Sequence, residues 1–248
     1  MKQGLPILIL TLCSLTATSQ NKMRSVEELI NRREPAWLLV KGWIDSAKNK
    51  VEVLPVDTIK AKEALYETQV TTRSPMGAVI YITGGILVDD GWIRILGSGS
   101  AKLNRSLPGW NRGKAYKDFG ESAPFLLIAD DAIGGFYLLN GGGLGKDLGK
   151  VYYFAPDDLE YEPLNLTYSD FLQFCFNNNL DDFYEGRRWT SWRKEVSVLP
   201  GDKAFNFFPP LWTKEGKDVN KALRKAVPVE EQYGFELDMR KKLGLGKK

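Results

Sequence analysis

The sequence predicts an α+β fold in which a mainly antiparallel sheet carries helices packed on one side. Helix signals stand near both ends of the chain, and a run of short apolar segments separated by turn residues fills the middle. Helices, then strands joined by tight turns, then helices again is the order typical of this class. We expect a single domain over residues 23–240.

The first elements read as helices. Ser25 and Glu28 form a capping box, in which each side chain can bond the other residue's backbone N–H. A second helical segment begins after Pro35 and carries apolar residues to about Lys48. After a short extended stretch at 51–55, residues 57–70 predict another helix with Asp57 as its N-cap.

Strands are expected next. The apolar run Ala78–Ile82 predicts a strand, and Gly84-Gly85 predicts a turn after it. Ile86–Asp89 and Trp92–Leu96 flank Asp90-Gly91, a pair that tolerates the positive φ angles of a tight hairpin. This segment therefore predicts a β-hairpin.

A second strand unit surrounds the stretch "LLNGGGLGKDLGKVYYF" at 138–154. Phe125–Ala129 and Gly134–Leu139 predict strands on either side of Asp130-Asp131. The glycine loop then leads to Val151–Phe154, whose β-branched and aromatic residues favour a strand. We therefore expect Phe136–Leu139 and Val151–Phe154 to pair as a hairpin.

The glycine loop does not match a phosphate-binding motif. A P-loop has four residues between its first glycine and its Gly-Lys pair, whereas three separate Gly141 from Gly145. Asp147 stands where the motif needs a hydroxyl, and its carboxylate would repel a phosphate. A strand, not the required helix, follows. The sequence thus favours a turn over a nucleotide site.

A late helix is predicted over residues 167–180, with Thr167 as N-cap and Asp170 three residues on. Phe171, Leu172 and Cys175 lie on one apolar face of it. Cys175 is therefore interpreted as a buried structural thiol. The aromatic and arginine residues over 183–215 favour cation–π pairs that seal a C-terminal lobe over a base-stacking surface.

Residues 97–122 have little apolar periodicity and predict a long loop, of the kind that is often functional. The loop has a net charge of +3 and contains Trp110, followed by Asn111 and Arg112. Trp110 can either anchor the loop to the body of the domain or contact a partner, because anchors and interface hot spots have the same sequence pattern.

Four pairs of adjacent aspartates invite a catalytic interpretation, but neighbouring residues on a strand point to opposite faces, and aspartate is common in turns. The best candidate is Asp130-Asp131, which precedes Gly134 and Gly135 in the sheet region. The chain has no histidine, which removes the commonest general base and zinc ligand. No cofactor or metal is expected.

The N-terminal stretch "MKQGLPILILTLCSLTATSQ" has a positive start, a short apolar core and small residues before a cleavage position. It predicts a signal peptide and an exported protein, periplasmic or extracellular. The alternative is that residues 1–22 are a mis-called start and that translation begins at Met23 in the cytoplasm. Without residues 1–19 the chain has 33 basic and 31 acidic residues, a net charge of +2.

Five of those basic residues lie in "RKKLGLGKK" at 240–248, where residues 241–248 are expected to form a frayed basic tail. The rest of the body is net acidic. This distribution argues against a nucleic-acid partner. The apolar stretch near the N-terminus is too short to span a bilayer, so no stable membrane insertion of the mature chain is expected.

"FLLIADDAIGGFYLLN" with "GKVYYFAPDDLEYEPL" and "TYSDFLQFCF", within 125–176, resembles the core of the SMI1/KNR4-like (SUKH) superfamily. "RSPMGAVIYITGGILVDDGWIRILGSG" at 73–99, "SLPGWN" at 106–111 and "FPPLWTKEG" at 208–216 resemble a bacterial family, domain of unknown function 2625. The superfamily resemblance implies an α+β interaction module, often an immunity protein that blocks a toxin, and it brings no catalytic residues.

Two functions follow as hypotheses. The first is a non-enzymatic protein-binding module whose partner is another protein. The second is an exported carboxylate-dependent hydrolase or sugar-binding protein that uses Asp130 or Asp131 with Tyr137. For either function, the candidate site residues are the following: Trp110, Asn111, Arg112, Asp130, Asp131, Gly134 and Gly135.

Overall fold

The computed structural model describes residues 23–246, in which nine α-helices and nine β-strands form. The helices are α1 (Val26–Leu29), α2 (Trp37–Asp45), α3 (Thr58–Thr68), α4 (Pro75–Ile82), α5 (Leu107–Asn111), α6 (Tyr168–Asn177), α7 (Leu180–Phe183), α8 (Trp192–Val196) and α9 (Val229–Lys242). The strands are β1 (Val51–Val53), β2 (Gly85–Val88), β3 (Ile93–Leu96), β4 (Phe125–Asp131), β5 (Phe136–Asn140), β6 (Val151–Phe154), β7 (Tyr161–Leu166), β8 (Lys203–Phe208) and β9 (Leu223–Pro228). The predicted α+β class is confirmed.

Strands β1 to β7 form one sheet in sequence order, and every neighbouring pair is antiparallel. Strands β8 and β9 form a separate two-stranded hairpin. The hairpin predicted across Asp90-Gly91 is confirmed, with Val88 opposite Ile93. Asp90 and Gly91 have the expected positive φ values, 61° and 89°, and Asp89, predicted to end the strand, lies in the turn with a φ of 53°.

The two faces of the large sheet pack against different parts of the chain. Tyr137 contacts Phe171 of α6 with a ring separation of 4.8 Å, whereas the adjacent Phe136 contacts Tyr233 of α9 at 4.8 Å. Consecutive strand residues point to opposite faces, so α6 and its neighbours α2 and α4 cover one face. The C-terminal hairpin and α9 lie on the other.

The predicted capping box at Ser25 is present, and the predicted N-cap Thr167 also forms a capping box. Ser25 and Glu28 exchange their side-chain to backbone hydrogen bonds, and Thr167 and Asp170 do the same at the start of α6. Cys175 lies on the buried face of that helix, and burial raises the pKa of its thiol well above the ordinary value. The prediction that it is a buried thiol is confirmed.

Cation–π pairs close the C-terminal lobe, as predicted. The Arg188 guanidinium lies 4.7 Å from the ring of Trp92 and 4.2 Å from that of Trp192. Trp92 has no exposed surface and also contacts Trp189, with the ring centroids 5.8 Å apart. Trp92, Trp189 and Trp192 therefore form one aromatic cluster beside Arg188.

The strand predicted at Ala78–Ile82 is wrong, since this segment belongs to α4. Ser74 caps the helix by accepting a hydrogen bond from the Gly77 N–H, and Pro75 occupies its first turn. A continuous apolar run fits a buried helix as well as a buried strand. The Ser-Pro pair before the run was the signal that favoured the helix.

The segment 97–122, predicted to be a loop, contains the short helix α5. Helix α5 begins after the N-cap Ser106, whose hydroxyl accepts a hydrogen bond from the Gly109 N–H at 3.2 Å. This helix buries Leu107 and Trp110. A single turn of helix is too short to produce a periodic pattern in the sequence.

The ends of the described chain bear on three expectations. Residues 1–22, where the signal peptide is predicted, lie outside the described residues. Helix α9 reaches Lys242, and Arg240 near its end donates hydrogen bonds to Glu160 and to the Leu159 carbonyl. Among residues 23–246, no helix combines the length and the apolar character that crossing a bilayer requires.

Candidate functional site

The two adjacent aspartates at the end of β4 face opposite sides of the sheet. Asp130 lies opposite Arg94 and Phe136 in the strand register, on the face that α9 covers. Asp131 lies opposite Ile93 and points toward the helices α6 and α7. Neither aspartate has any exposed surface. They therefore belong to two separate buried networks.

Asp130 is held by two arginines. One carboxylate oxygen lies 2.6 Å from Nη2 of Arg94, and the other lies 2.6 Å from Nη1 of Arg105. Arg105 also donates to the Gly201 carbonyl, and Arg94 donates to the carbonyls of Lys203 and Asp131. Burial lowers the pKa of Arg94, and the charge of Asp130 opposes that effect.

This network ties the sheet to the loop 97–122 and to the start of β8. A buried ion pair is weak evidence for net stability, but removal of one partner leaves an uncompensated charge. Asp130 therefore serves as a cross-link between three segments. It is not a free carboxylate.

Asp131 accepts four hydrogen bonds. One carboxylate oxygen accepts from the backbone N–H groups of Ile133 and Gly135 at 3.0 and 2.8 Å. The other accepts from the hydroxyls of Tyr153 and Tyr184 at 2.7 and 3.0 Å. Burial raises the pKa of Asp131, and these hydrogen bonds act in the opposite direction.

Tyr137 extends this second network, because its hydroxyl lies 2.5 Å from that of Tyr184. Tyr137, Tyr153 and Tyr184 have no exposed surface. Burial raises the pKa of each hydroxyl well above its ordinary value, so all three remain neutral hydrogen-bonding groups at physiological pH. A substrate has no access to Asp131 or to the tyrosines in this conformation.

The glycines after Asp131 make the turn possible. Gly134 has φ +92°, and a Cβ there would lie 2.8 Å from atoms of both Gln232 and Glu236 on α9. Gly135 packs directly against Tyr153 and Asp131. Gly134 therefore allows α9 to pack against the turn, and Gly135 allows Tyr153 to reach the Asp131 carboxylate.

A third buried acid lies beyond this turn and was not identified from the sequence. Glu236 has no exposed surface, and Gln232 donates to one of its oxygens at 2.7 Å. Its other oxygen has no hydrogen-bond partner among the described residues. Burial raises the pKa of Glu236 well above the usual value. Helix α9 is polar along most of its length, so its sequence carries no signal that one glutamate is buried.

Trp110 and Asn111 are internal contacts of the loop that contains them. The Trp110 ring, 5 % exposed, lies 4.6 Å from the guanidinium of Arg105 and 4.0 Å from the ammonium of Lys114. Asn111 accepts from the Leu127 N–H at 2.7 Å and donates to the Leu127 carbonyl at 2.8 Å. These contacts fit the anchor interpretation of Trp110.

Arg112 differs from the other six candidate residues because its side chain is exposed and stacks over Phe119 at 5.0 Å. Arg105 joins Trp110 to Asp130 on one face of the sheet. Asp131 and Gly135 belong to the separate network on the other face. Both networks are buried, so recognition by their members would require the fold to open.

An open cleft of about 480 Å³ adjoins the Asp130 network. It lies between the β2–β3 hairpin and the segment 196–202, and Arg94 contributes to its wall. The ion pairs Lys50–Asp90 and Lys102–Glu52 also line it. Its size suits a small ligand, but the charges on its wall are balanced and favour no one class of ligand.

Metal binding has no support in the part of the chain that the structure describes. Among residues 23–246, no group of three histidine, cysteine, aspartate or glutamate side chains is placed to hold an ion. Asp130 and Asp131 are adjacent, but they face opposite sides of the sheet and so cannot bind one metal ion together.

Comparison with known proteins gives matches along most of the chain. An uncharacterized protein of Haemophilus influenzae is 43 % identical over 211 residues, which cover 85 % of this chain and 92 % of the relative. The putative uncharacterized protein YbfG of Escherichia coli is 42 % identical over 218 residues, which cover 88 % and 98 %. No solved structure matches significantly. Residues 26–232 match the family described as protein of unknown function DUF2625, and the chain belongs to that family.

Proposed function

We propose that this protein is a non-enzymatic protein-binding module. The observation that carries this proposal is an exposed apolar pair on the C-terminal hairpin. Phe208 and Leu223 lie directly opposite each other across β8 and β9, and their side chains are 70 % and 73 % exposed. Two large apolar side chains held side by side in water are typical of an interaction surface.

The alternative, an exported carboxylate-dependent hydrolase or sugar-binding protein, receives less support. Asp131 has the raised pKa and the aromatic surroundings that suit a general acid. However, Asp131 and Tyr137 are fully buried, and both oxygens of the carboxylate are occupied by donors within the protein. A catalytic acid must reach its substrate, so this arrangement favours a structural role.

The resemblance of residues 125–176 to the SUKH superfamily supports the binding function, because members of that superfamily are interaction modules. Many are immunity proteins, which makes a toxin one class of partner for this chain. The predicted signal peptide places the encounter outside the cytoplasm, whereas a start at Met23 places it inside.

The test is a pull-down with the tagged full-length chain from cells of the native organism, followed by mass spectrometry. The variant Phe208→Ser with Leu223→Ser removes the hairpin pair. The matched control Leu38→Ser with Leu39→Ser removes two apolar residues of α2 that are 74 % and 53 % exposed. We expect a partner that the wild type and the control retain and that the hairpin variant loses. A partner retained by all three chains, or recovery of background proteins alone, would contradict the proposal.

A further inference from the structure

The hydrogen bonds of β8 determine which backbone groups of β9 point outward. Phe205 of β8 donates its N–H to the Ala132 carbonyl at 2.8 Å, on the side away from β9. Bonded and non-bonded residues alternate along an antiparallel pair. The pairs that form the ladder are therefore the following: Ala204 with Val227, Asn206 with Lys225, and Phe208 with Leu223. Arg224 and Ala226 lie between them and direct their N–H and C=O groups away from β8.

These outward groups form an open edge. Within residues 23–246, no backbone–backbone hydrogen bond to Arg224 or Ala226 occurs beyond the hairpin. The edges of the large sheet are better protected. Strand β1 has only three residues, and β7 contains Pro163, a register shift and a left-handed residue at Asn165. Strand β9 pairs regularly over six residues and has its one proline at the end.

We propose that an extended segment of a partner protein adds to this edge as a third strand, with its main chain bonded to Arg224 and Ala226. This inference rests on the proposed binding function and specifies how the partner docks. The Phe208–Leu223 pair lies at one end of the same edge and supplies an apolar contact for the added strand.

The charge of β9 indicates which side chains the partner's added strand should carry. The strand contains Arg224 and Lys225 and no acidic residue. Glu195 neutralises Arg224 through two hydrogen bonds of 2.7 Å, whereas exposed Lys225 makes no ion pair with any of the described residues. The segment that fits this edge therefore has an acidic side chain opposite Lys225 and an apolar one beside Leu223.

A second copy of this chain fits the edge poorly. Suppose that two β9 strands paired around a two-fold axis. The outward N–H and C=O groups of both strands could all form hydrogen bonds in one register alone, in which Arg224 of each copy lies opposite Ala226 of the other. That register places Lys225 directly opposite its own copy, and like charges in that position are destabilising. The occupant is therefore a different, acidic segment.

The test uses the full-length chain and a fluorescein-labelled peptide of eight residues, made of valine and threonine with one central glutamate. A second peptide has lysine in place of the glutamate. Fluorescence anisotropy should show the acidic peptide binding about fivefold more tightly than the basic one. Lys225→Glu, a change at an exposed position, should reverse that preference.

Ala226→Pro tests the main-chain contact, because it removes an outward N–H that takes no part in the β8–β9 ladder. We expect it to weaken binding of the acidic peptide at least about fivefold. Amide hydrogen exchange should confirm that the β8–β9 hairpin is intact in Ala226→Pro. If the hairpin is disrupted in that variant, the peptide preference of Lys225→Glu decides whether strand addition occurs. Binding of neither peptide, or an unchanged preference in Lys225→Glu, would overturn strand addition.

The two proposals can fail separately. If the pulled-down partner is lost with the Phe208→Ser, Leu223→Ser variant but retained by Lys225→Glu and Ala226→Pro, the binding function stands and strand addition is overturned. If no partner is recovered and neither peptide binds, both proposals fail.

Discussion

Gly135 packs so closely against Tyr153 that a Cβ on the glycine would lie 2.1 Å from the tyrosine hydroxyl. The same Cβ would lie 2.4 Å from a carboxylate oxygen of Asp131. Non-bonded atoms do not approach each other this closely, and Gly135, Tyr153 and Asp131 are all buried. The turn after β4 therefore depends on glycine at this position.

Gly135→Ala should destabilise the protein by about 2–3 kcal/mol, because the added methyl group must displace Tyr153 or break its bond to Asp131. Urea denaturation measures the change. The matched control is Gly42→Ala, where a Cβ meets nothing within 4 Å. Because Gly42 lies inside helix α2, the control should be neutral or stabilising by about 0.5–1 kcal/mol. Equal stabilities for the two variants would show that the turn relaxes freely.

Asn111→Ala should destabilise the protein by about 2–4 kcal/mol. The Asn111 side chain makes three buried hydrogen bonds, to the Leu127 N–H, the Leu127 carbonyl and the Leu107 carbonyl. Its removal leaves the Leu127 N–H and carbonyl of β4 without this partner in a dry environment. Thermal and urea unfolding measure the loss. Asn104→Ala, at an exposed position, serves as the control and should change stability by less than about 0.5 kcal/mol.

Glu236→Gln should make the stability of the protein fall less than that of the wild type as pH rises above about 4.5. Burial raises the folded-state pKa of Glu236 well above its usual value of 4.5, so the folded protein holds this proton more tightly than the unfolded chain. The stability that this group contributes is complete below about pH 4.5 and is lost as pH rises toward the folded-state pKa. Glutamine has nearly the same shape as glutamic acid but no titratable carboxyl group.

The stability of Glu236→Gln relative to wild type should therefore increase between pH 4 and pH 8 by about 1 kcal/mol or more. Urea unfolding at a series of pH values measures it. Glu231→Gln, an exposed position on the same helix, is the control and should show no such trend. A pH-independent difference for Glu236→Gln would mean that the buried carboxyl does not titrate in this range.

We expect the native protein to begin near Gln20, with the signal peptide removed. N-terminal sequencing of protein from the native organism decides this. Deletion of residues 1–22 should leave the free energy of unfolding within about 0.5 kcal/mol, because the capping box at Ser25 begins the domain independently. An intact Met1 would show that no processing occurs, and a chain beginning at Met23 would indicate a cytoplasmic protein.

Features encoded within a few residues were predictable. The capping box at Ser25, the N-cap at Thr167 and the hairpin across Asp90-Gly91 form as expected, since each depends on hydrogen bonds or φ angles set by neighbouring residues. The glycine loop was rejected as a phosphate-binding site on local evidence as well, namely the spacing of its glycines. The structure places a β-hairpin connection there, with Leu139 opposite Val151.

The candidate site was harder to predict, because burial depends on distant residues. Asp130-Asp131 were identified as the most informative acid pair, but Arg105 lies 25 residues away from Asp130 and Tyr184 lies 53 away from Asp131. No local sequence pattern predicts that these side chains meet. The short sequence around Asp130-Asp131 is therefore equally compatible with an exposed turn and with a buried polar network.

The sequence by itself determined the α+β class, the helix starts at Ser25, Asp57 and Thr167, and the hairpins at 86–96 and 136–154, because these follow from hydrogen-bonding geometry within short segments. Tertiary structure decided that the apolar run at Ala78–Ile82 is a buried helix, and that the acids Asp130, Asp131 and Glu236 are enclosed. It also left the β9 edge open. Each of these depends on which segments cover which surfaces, and that is settled only when the whole chain packs.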